Sequence, residues 1–309
     1  MQVVDNNCLC SLSKKTYIAL GSFDGLHLGH MRLIKECINL AKKNNGLSMV
    51  FTFKNHPLTV INPDKAPKLL MDNDNKASIL RSVGIDILSL VDFNRELMET
   101  SAEDFIENLV NNFNLGGVVV GFNYRFGHKN QGDVNLLREL SIKYNFTVKI
   151  MDPLESNEQL ISSSRIRTLI SEGNIIEANK MLFKPFVISG RVIPGKQLGR
   201  TLGYPTANID IDEKFIIPNA GVYYTVVRYK DKLYKGMTNV GHNPTVALTN
   251  KINVETYILN FDKEIYDEYI SIYFIERIRN EEKFDSVKSL IEQMNKDYYY
   301  VKSKNIEEI

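Results

Sequence analysis

Short apolar runs alternate with helical patterns through the first half of the chain. The runs cover residues 17–21, 47–53, 85–91, 117–121 and 146–151 and are rich in strand-forming residues. Between the first two, Leu33, Ile34, Cys37, Ile38 and Ala41 recur at helical spacing on one face. Ser101, three residues before Asp104, resembles the start of a further helix. This alternation predicts a doubly wound, parallel α/β sheet, in which ligands bind at the carboxyl ends of the strands.

The pattern changes near Lys184-Pro185. Residues 162–182 predict two short helices, which are interrupted at Gly173-Asn174. Beyond them, residues 187–193, 222–229, 233–240, 253–259 and 269–275 read as strands, and no long helix follows until residues 286–297. We therefore predict a small antiparallel β-barrel with a C-terminal helix. The expected domains are residues 1–183 and 184–309.

Composition narrows the classes of protein that fit this organisation. The chain is 43% hydrophobic and 24% charged, and its net charge of +1 gives no global basis for binding nucleic acid or an anionic membrane. No apolar run approaches the ~20 residues of a membrane span, and the first 13 residues lack a signal-peptide pattern. The cysteines, Cys8, Cys10 and Cys37, fit neither a disulfide framework nor a zinc site. We expect incidental thiols, a cytoplasmic location, and no nucleic-acid or membrane partner.

The strongest local signal is the string G-S-F-D-G-L-H-L-G-H at residues 21–30, which follows a predicted strand and opens a helix. Its glycines permit close backbone approach, and a helix N-terminus attracts phosphate. His27 and His30 would project together toward that phosphate and could stabilise charge that develops during phosphoryl chemistry. On spacing alone, the two histidines could equally be a metal pair or helix-surface residues.

As a whole, the string resembles the H-x-G-H nucleotidyltransferase superfamily and, within it, the bacterial FAD synthetases. The resemblance implies that His27 and His30 are catalytic. It also implies that the surrounding turn binds ATP, through Gly21, Phe23, Asp24 and Gly25.

Three further segments of the first half carry the same resemblance. Residues 51–57 match an F-D-P-H-P-like loop, from which Lys54 and Asn55 depart. Residues 120–133 resemble a flavin-binding segment, although Phe122 and Phe126 could equally be core residues. Residues 161–167 resemble the S-S-T-x-I-R sequence that holds ATP phosphates, although they could also form an ordinary helix cap. The resemblance implies flavin-binding roles for Asn55, Asn123, Phe126 and Asp133, and ATP-binding roles for Ser162, Ser163, Ser164 and Arg167.

The second half contains the sequence P-T-A-N within residues 202–208. This sequence resembles the signature of the riboflavin kinases, and the resemblance implies that Thr206 and Asn208 lie at Mg²⁺ and the ATP phosphates. Residues 190–203 resemble a glycine-rich phosphate loop with Gly195 and Gly203, from which Pro194 and Leu198 depart. Residues 221–223 and 239–245 match further barrel segments. Residues 254–258 match the catalytic strand, so that Glu255 is implied as general base. Residues 278–284 imply flavin-binding roles for Arg279, Glu281 and Phe284.

Each of these second-half segments has an ordinary reading when it is taken alone. The P-T-A-N sequence could be a plain turn, Glu255 an outward-facing strand residue, and residues 278–284 a charged loop. No Walker sequence is present.

Together the motifs are similar to those of the bifunctional riboflavin kinase/FAD synthetase family. This resemblance implies that ATP phosphorylates riboflavin to FMN in the second domain. It also implies that ATP adenylylates FMN to FAD in the first domain, with release of pyrophosphate, and that Mg²⁺ is the cofactor. Two alternatives are disfavoured. The P-T-A-N sequence and Glu255 argue against a first domain that adenylylates a different phosphate, and the presence of both motif sets argues against a non-catalytic flavin-binding module.

Overall fold

The computed structural model describes residues 1–5, 12–156, 159–195, 199, 202–242 and 252–306. It divides into two compact units, Met1–Ser162 and Ser163–Ile309. The helices predicted within residues 162–182 group with the second unit, whereas the sequence pattern places them before the domain boundary. The limits of the two domains as functional parts stay a prediction. Cys8, Cys10, Leu198 and residues 243–245 lie outside the described residues.

The first unit is built on a parallel sheet, as predicted. In its described part the sheet has six strands in the order β1-β4-β3-β2-β5-β6, and all neighbouring strands run parallel. Their bounds are β1 (Gln2–Asp5), β2 (Thr16–Leu20), β3 (Leu47–Phe53), β4 (Ile87–Val91), β5 (Leu115–Gly121) and β6 (Thr147–Met151). The sequence pattern missed β1, because four residues at a sheet edge are too few to show a period.

Helices connect these strands and cover the sheet. They are α1 (Leu28–Lys43), α2 (Leu58–Ile61), α3 (Asn73–Ser82), α4 (Arg95–Glu99), α5 (Ala102–Phe113) and α6 (Val134–Tyr144). A two-stranded hairpin, β7 (Glu155–Ser156) and β8 (Gln159–Leu160), ends the unit. Helix α1 buries Ile34, Cys37, Ile38 and Ala41, the face that the periodicity predicts. The hydroxyl of Ser101 caps α5 by accepting the Asp104 N–H at 3.1 Å.

The second unit begins with the two predicted helices and continues into a barrel. Helix α7 (Ser163–Glu172) and helix α8 (Ile175–Met181) precede the barrel, and α9 (Val287–Ser303) follows it. In the described part, the strands close in the order β10-β13-β12-β11-β14-β9 and all pairs are antiparallel. They are β9 (Val187–Ile193), β10 (Thr206–Asp210), β11 (Gly221–Tyr229), β12 (Lys232–His242), β13 (Ile252–Ile258) and β14 (Tyr269–Arg279). The barrel and its terminal helix are confirmed, and β10 is an addition.

Helices α7 and α8 are attached to the barrel by hydrogen bonds to its backbone atoms as well as by apolar packing. The Asn179 side chain donates to Phe274 O and accepts from Phe186 N, both at 2.8 Å. The Asn219 N–H donates to Ile170 O at 3.3 Å. Because Ile175 and Met181 are almost fully buried, this helix pair is a structural part of the unit that contains the barrel.

Candidate active sites

The turn between β2 and α1 holds the histidine motif in a strained backbone. Phe23 and Leu26 have φ values of 44° and 42°, and Gly25 has a φ of 82°. Left-handed backbone at a bulky residue is unfavourable, and strain of this kind clusters at functional sites. Phe23 is buried under Gly21, where an added side chain would come within 3.1 Å of its ring. The result is a compact turn that delivers the next residues to the start of α1.

His27 and His30 lie face to face at the first turn of α1. His27 is the N-cap residue, and its Nδ1 accepts the His30 backbone N–H at 3.2 Å. Their ring centroids are 3.5 Å apart, with 19° between the planes. A ring nitrogen that accepts a hydrogen bond carries no proton, so neutral His27 keeps its proton on Nε2. The cap therefore selects the tautomer in which Nε2 is the donor.

The surroundings of the pair favour neutral imidazoles. Burial lowers the pKa of His27 to about 4. Burial is also the main reason that the pKa of His30 lies well below its usual value, and the charges of His27 and Lys76 lower it further. The Nδ1 atom of His30 is buried and has no hydrogen-bond partner among the described residues. Anionic phosphate oxygens near the pair would supply the acceptor or the charge that this site lacks.

Asp24, to which the motif gives an ATP-binding role, is hydrogen-bonded to the protein backbone. Its carboxylate is 4% exposed and accepts the Leu70 N–H at 3.0 and 3.2 Å. That contact attaches the motif turn to the segment before α3. A role of Asp24 toward ATP stays a prediction.

A pocket of about 260 Å³, which includes the part open to solvent, lies at the carboxyl ends of β2 and β3. This is the edge where the α/β architecture predicts a ligand. Its lining combines the apolar residues Phe53, Leu69 and Met71 with polar ones, which are Ser22, Asp24, Lys54, Asn55, His56, Asn73 and Lys76. The sequence analysis missed Lys76. Its spacing of four residues from Leu80 places both on the buried face of α3, and a lysine on a buried helix face is a signal that the sequence contains.

The two residues that depart from the family loop after β3 form specific contacts. Lys54 Nζ lies 3.1 Å from a carboxylate oxygen of Asp92. The Asn55 amide donates to Phe93 O and accepts from Phe93 N, both at 2.9 Å. The loops that follow β3 and β4 are therefore joined at the edge of the pocket. The flavin-binding assignment of Asn55 stays a prediction.

The segment predicted to bind flavin divides between core and surface. Phe126 is 6% exposed and packs against Phe105 in the hydrophobic core, whereas Phe122 is 46% exposed. Asn123 is exposed in the turn after β5, and Asp133 caps α6 by accepting from Asn135 N and Leu136 N. The structure places Phe126 among core side chains, so any flavin contact would involve only its small exposed part.

The serine–arginine run lies at the start of α7. Ser162 precedes the helix, Ser163 opens it, Ser164 is exposed in its first turn, and Arg167 follows one turn later. The N–H groups in the first turn of a helix suit phosphate oxygens. The convergence of these residues with the two histidines on one nucleotide stays a prediction.

In the second unit, strand register builds a polar row across β10, β13 and β12. Glu255 pairs with Asn208 on one side and with Asn239 on the other. The Thr206 hydroxyl donates to Glu255 Oε2 at 3.1 Å, and the Asn253 amide donates to Asn208 Oδ1 at 3.2 Å. Side chains alternate along a strand, so these residues share one face of the sheet.

The side chains on the opposite face of the same strands are buried. Val254 and Thr256, the neighbours of Glu255, are fully buried. The Thr256 hydroxyl accepts from Thr238, and Thr238 pairs with Thr225. Glu255 therefore stands on a rigid strand with its carboxylate on the half-buried side, and the P-T-A-N sequence is a strand rather than a plain turn.

The described parts of the glycine-rich loop pack closely on this row. A side chain at Gly195 would clash with the amide of Asn208, and one at Gly199 would clash with the carbonyl oxygen of Tyr204. Gly203 has a φ of 84°, which glycine adopts without strain. Close backbone approach at the Asn208 amide is the geometry that a phosphate-binding loop needs.

The segment after β14 is held by a buried ion pair. Arg279 Nε and Nη2 each lie 2.9 Å from Asp297 Oδ2 on α9, where Asp297 is 3% exposed. The Arg279 guanidinium also lies 5.8 Å from the centre of the Phe284 ring. Glu281 approaches Gly241, where an added side chain would meet its carboxylate. Arg279 therefore fixes the loop, and direct flavin contacts of these residues stay predictions.

The described residues contain neither a cluster of metal ligands nor a membrane-spanning helix. In the described ranges, no group of three or more His, Cys, Asp and Glu side chains is arranged to hold a metal ion. None of the helices in those ranges is both long enough and apolar enough to cross a membrane.

Cys37 is a free, buried thiol whose Sγ donates to Tyr17 O at 2.8 Å, and burial raises its pKa to about 12.

Comparison with known families and proteins gives consistent matches. The FAD synthetase family model matches residues 10–165, and the riboflavin kinase family model matches residues 182–304. A bifunctional riboflavin kinase/FMN adenylyltransferase from Buchnera aphidicola of Schizaphis graminum is 38% identical over 95% of each chain. Proteins of the same name from Listeria monocytogenes and Bacillus subtilis are 37% and 34% identical. They match 91% and 92% of this chain, and 89% and 90% of their own lengths.

A solved structure has the same architecture over its full length. It is described as a macrolide-efflux protein from Streptococcus pneumoniae, is 30% identical, and superposes with a TM-score of 0.88. The match covers 99% of this chain and 100% of that one. The arrangement of an α/β unit followed by a barrel unit is therefore shared by a protein solved independently.

Proposed function

The chain belongs to the family of bifunctional riboflavin kinase/FMN adenylyltransferases, and from this premise we propose which of its residues perform the two reactions. It phosphorylates riboflavin to FMN and adenylylates FMN to FAD. We assign the kinase to the barrel, within residues 184–309, and the adenylyltransferase to residues 1–183. The observation that carries the residue assignment is the Thr206–Glu255–Asn208 row on one face of the barrel.

Glu255 is the general base of the kinase reaction. Its carboxylate accepts the proton of the riboflavin 5′-hydroxyl as that oxygen bonds to the γ-phosphorus of ATP, and ADP leaves. Support comes from the position of Glu255 on a rigid strand beside the phosphate-loop glycines. The Thr206 hydroxyl, 3.1 Å away, orients one carboxylate oxygen and leaves the other available to the substrate.

Thr206 and Asn208 are the residues that would hold Mg²⁺. The donor set fits this ion, because Mg²⁺ prefers oxygen ligands and combines few protein ligands with substrate phosphates. A hydroxyl, an amide oxygen and a nearby carboxylate lie on one face here. When bound, the ion neutralises phosphate charge.

His27 and His30 serve the adenylyl transfer. A phosphate oxygen of FMN bonds to the α-phosphorus of ATP while the bond to the β-phosphate oxygen breaks and pyrophosphate leaves. FMN phosphate is already ionised, so the step needs donors toward the α-phosphate rather than a base. The Nε2–H of His27, whose tautomer is set by the capping bond, is such a donor. Ser162, Ser163, Ser164 and Arg167 bind the remaining phosphates in this proposal.

The remaining assignments follow the same premise. The substrates are ATP, riboflavin and FMN, and no nucleic acid or membrane takes part. We place the enzyme in the cytoplasm, and the free thiol of Cys37 agrees with a reducing compartment.

The direct test is to incubate the full-length protein with riboflavin and Mg-ATP and to separate the flavins by chromatography. FMN should appear first and FAD second, and a chelator of Mg²⁺ should stop both. A protein that binds flavin yet forms neither product would be a binding module, and the proposal would be wrong.

A further inference from the structure

Lys76 is a charged residue in the interior of the first unit that the motifs leave without a role. It lies at the end of the first turn of α3 and is 4% exposed. Its Nζ donates to Ser22 O and to Phe53 O, each at 3.4 Å. Ser22 follows β2 inside the histidine motif, and Phe53 is the last residue of β3. One ammonium group therefore joins the two strand ends that border the pocket.

A lysine at this position is costly for folding alone. A buried ammonium loses hydration, and two carbonyl oxygens at 3.4 Å replace it only in part. Burial accordingly lowers the pKa of Lys76 to about 8, and the carboxylates of Asp24 and Asp72 act in the opposite direction. Methionine would fill the same space without this cost. The charge is therefore better explained by the chemistry of the site than by packing.

We propose that Lys76 is a positioning residue of the adenylyltransferase site: its buried ammonium holds the histidine turn against the end of β3 and keeps a positive charge beside His30. The inference rests on the proposed function of His27 and His30. Thr52 on β3 supports the same joint, since its hydroxyl also donates to Ser22 O, at 2.8 Å. Ser22 O is thus held by two donors from neighbouring elements.

The charge also acts on the protonation of His30. The pKa of His30 is lowered by its burial and further by the charges of His27 and Lys76. A neutral imidazole keeps one nitrogen free of a proton, so the pair can accept as well as donate hydrogen bonds around the phosphate. Loss of the Lys76 charge would let His30 protonate more readily. The ionisable groups that face Lys76 or line the same pocket are Asp24, His27, His30, Lys54, His56 and Asp72.

The test compares three variants of the full-length protein, using its two reactions as reporters. Lys76→Met removes the charge and keeps the bulk, whereas Lys76→Arg keeps a charge that does not titrate below pH 12. Arg81→Met is the matched control, because it removes an exposed cation from the same helix. Lys76→Met should lower kcat for FMN adenylylation about 10- to 100-fold, with less than about threefold change in either KM. Riboflavin phosphorylation should stay at the wild-type value, and the melting temperature should be equal to or above that of the wild type, because the cost of burying the ammonium is removed.

The pH profile separates this role from a purely structural one. In the wild type, kcat/KM for adenylylation should fall as pH rises through about 8, where Lys76 loses its proton. Lys76→Met should lack that fall, and Lys76→Arg should retain its activity above pH 8. The phosphates of FMN and ATP titrate well below pH 8, so their ionisation does not contribute to the pH profile in this range.

The possible outcomes are distinct. If wild-type protein forms no FAD from FMN, the proposed function itself is wrong. If it forms FAD but Lys76→Met keeps wild-type kcat and pH profile, only the role of Lys76 is wrong. Should Lys76→Met fail to fold, the profile of Lys76→Arg decides, since a fall above pH 8 that persists in this variant would overturn the inference.

Discussion

The two candidate sites place their polar groups by different structural means. In the first unit, a turn with positive φ at Phe23 and Leu26 and an N-cap bond bring two imidazoles together. In the second unit, the register of three antiparallel strands aligns Asn208, Glu255 and Asn239. The first site is built from two imidazoles that stay neutral, whereas the second is built from a carboxylate, a hydroxyl and amide groups. A site made by one turn should depend on local backbone and charge, and a site made by register should depend on the pairing of distant segments.

The largest effect that separates the sites is expected at Glu255. Glu255→Gln keeps the size and the contact with Thr206 but removes the base, which commonly costs about 10²–10⁴ in rate. Riboflavin should no longer be converted to FMN, while supplied FMN should still become FAD. Flavin chromatography with each substrate measures both steps. The opposite pattern, with FAD formation lost and kinase activity kept, would contradict the assignment of the two units.

The reciprocal change is the double variant His27→Ala, His30→Ala. Donors aimed at transition-state charge are typically worth about 10²–10³ in rate. The variant should convert riboflavin to FMN and accumulate it. Because His27 also caps α1, thermal melting must show that the first unit remains folded. Wild-type FAD synthesis by a folded double variant would remove the histidines from the mechanism.

A smaller effect is expected where the barrel is separated from the helices before it. A fragment of residues 185–309 should fold and keep kinase activity. It should be roughly 4 kcal/mol less stable than a fragment of residues 163–309, because it lacks the buried residues of α8 and both Asn179 hydrogen bonds. Urea unfolding of the two fragments gives the difference. Equal stability would show that α7 and α8 add nothing to the barrel, and a well-folded but inactive 185–309 fragment would show that the kinase needs more of the chain.

The smallest effect concerns the ion pair that fixes the loop after β14. Asp297→Asn keeps the shape but removes the charge that Arg279 contacts, which should cost about 3 kcal/mol. If the loop contributes to riboflavin binding, KM for riboflavin should rise while FMN adenylylation is unchanged. Glu292→Gln, at an exposed position of the same helix, is the control. An unchanged melting temperature and KM would leave Arg279 without a positioning role.

The sequence predicted the architecture well where a strong period or motif was present. The parallel sheet, the barrel, the helix pair at residues 163–181 and both sets of motifs were readable. Strand β10 was not, because Tyr204-Pro205 before it has the composition of a turn. Its strand conformation is imposed by pairing with β9 and β13 on both sides, which no local pattern reports.

Side-chain environments were less accessible from the sequence than elements. Phe122 and Phe126 both follow β5, yet only Phe126 is buried, because the chain turns back so that Phe126 and Gly132 exchange backbone hydrogen bonds. The burial of Lys76 also depends on tertiary contacts with Ser22 and Phe53, 54 and 23 residues away. Motif spacing identifies which residues share a turn or a strand, but it does not report which distant elements cover them.

The joined loops after β3 and β4 have a consequence for exchanging parts between relatives. Lys54 forms an ion pair with Asp92. The side-chain amide of Asn55 is hydrogen-bonded to both the N–H and the carbonyl oxygen of Phe93. A chimera that imports residues 54–55 from another protein would break the Lys54–Asp92 pair and both bonds to Phe93, although the graft itself spans two positions. We expect positions 54 and 92 to drift together in evolution, because a charge reversal at one is tolerated best when the other reverses too. The transferable module is therefore the pair of loops, which are 38 residues apart in sequence and adjacent in the folded protein.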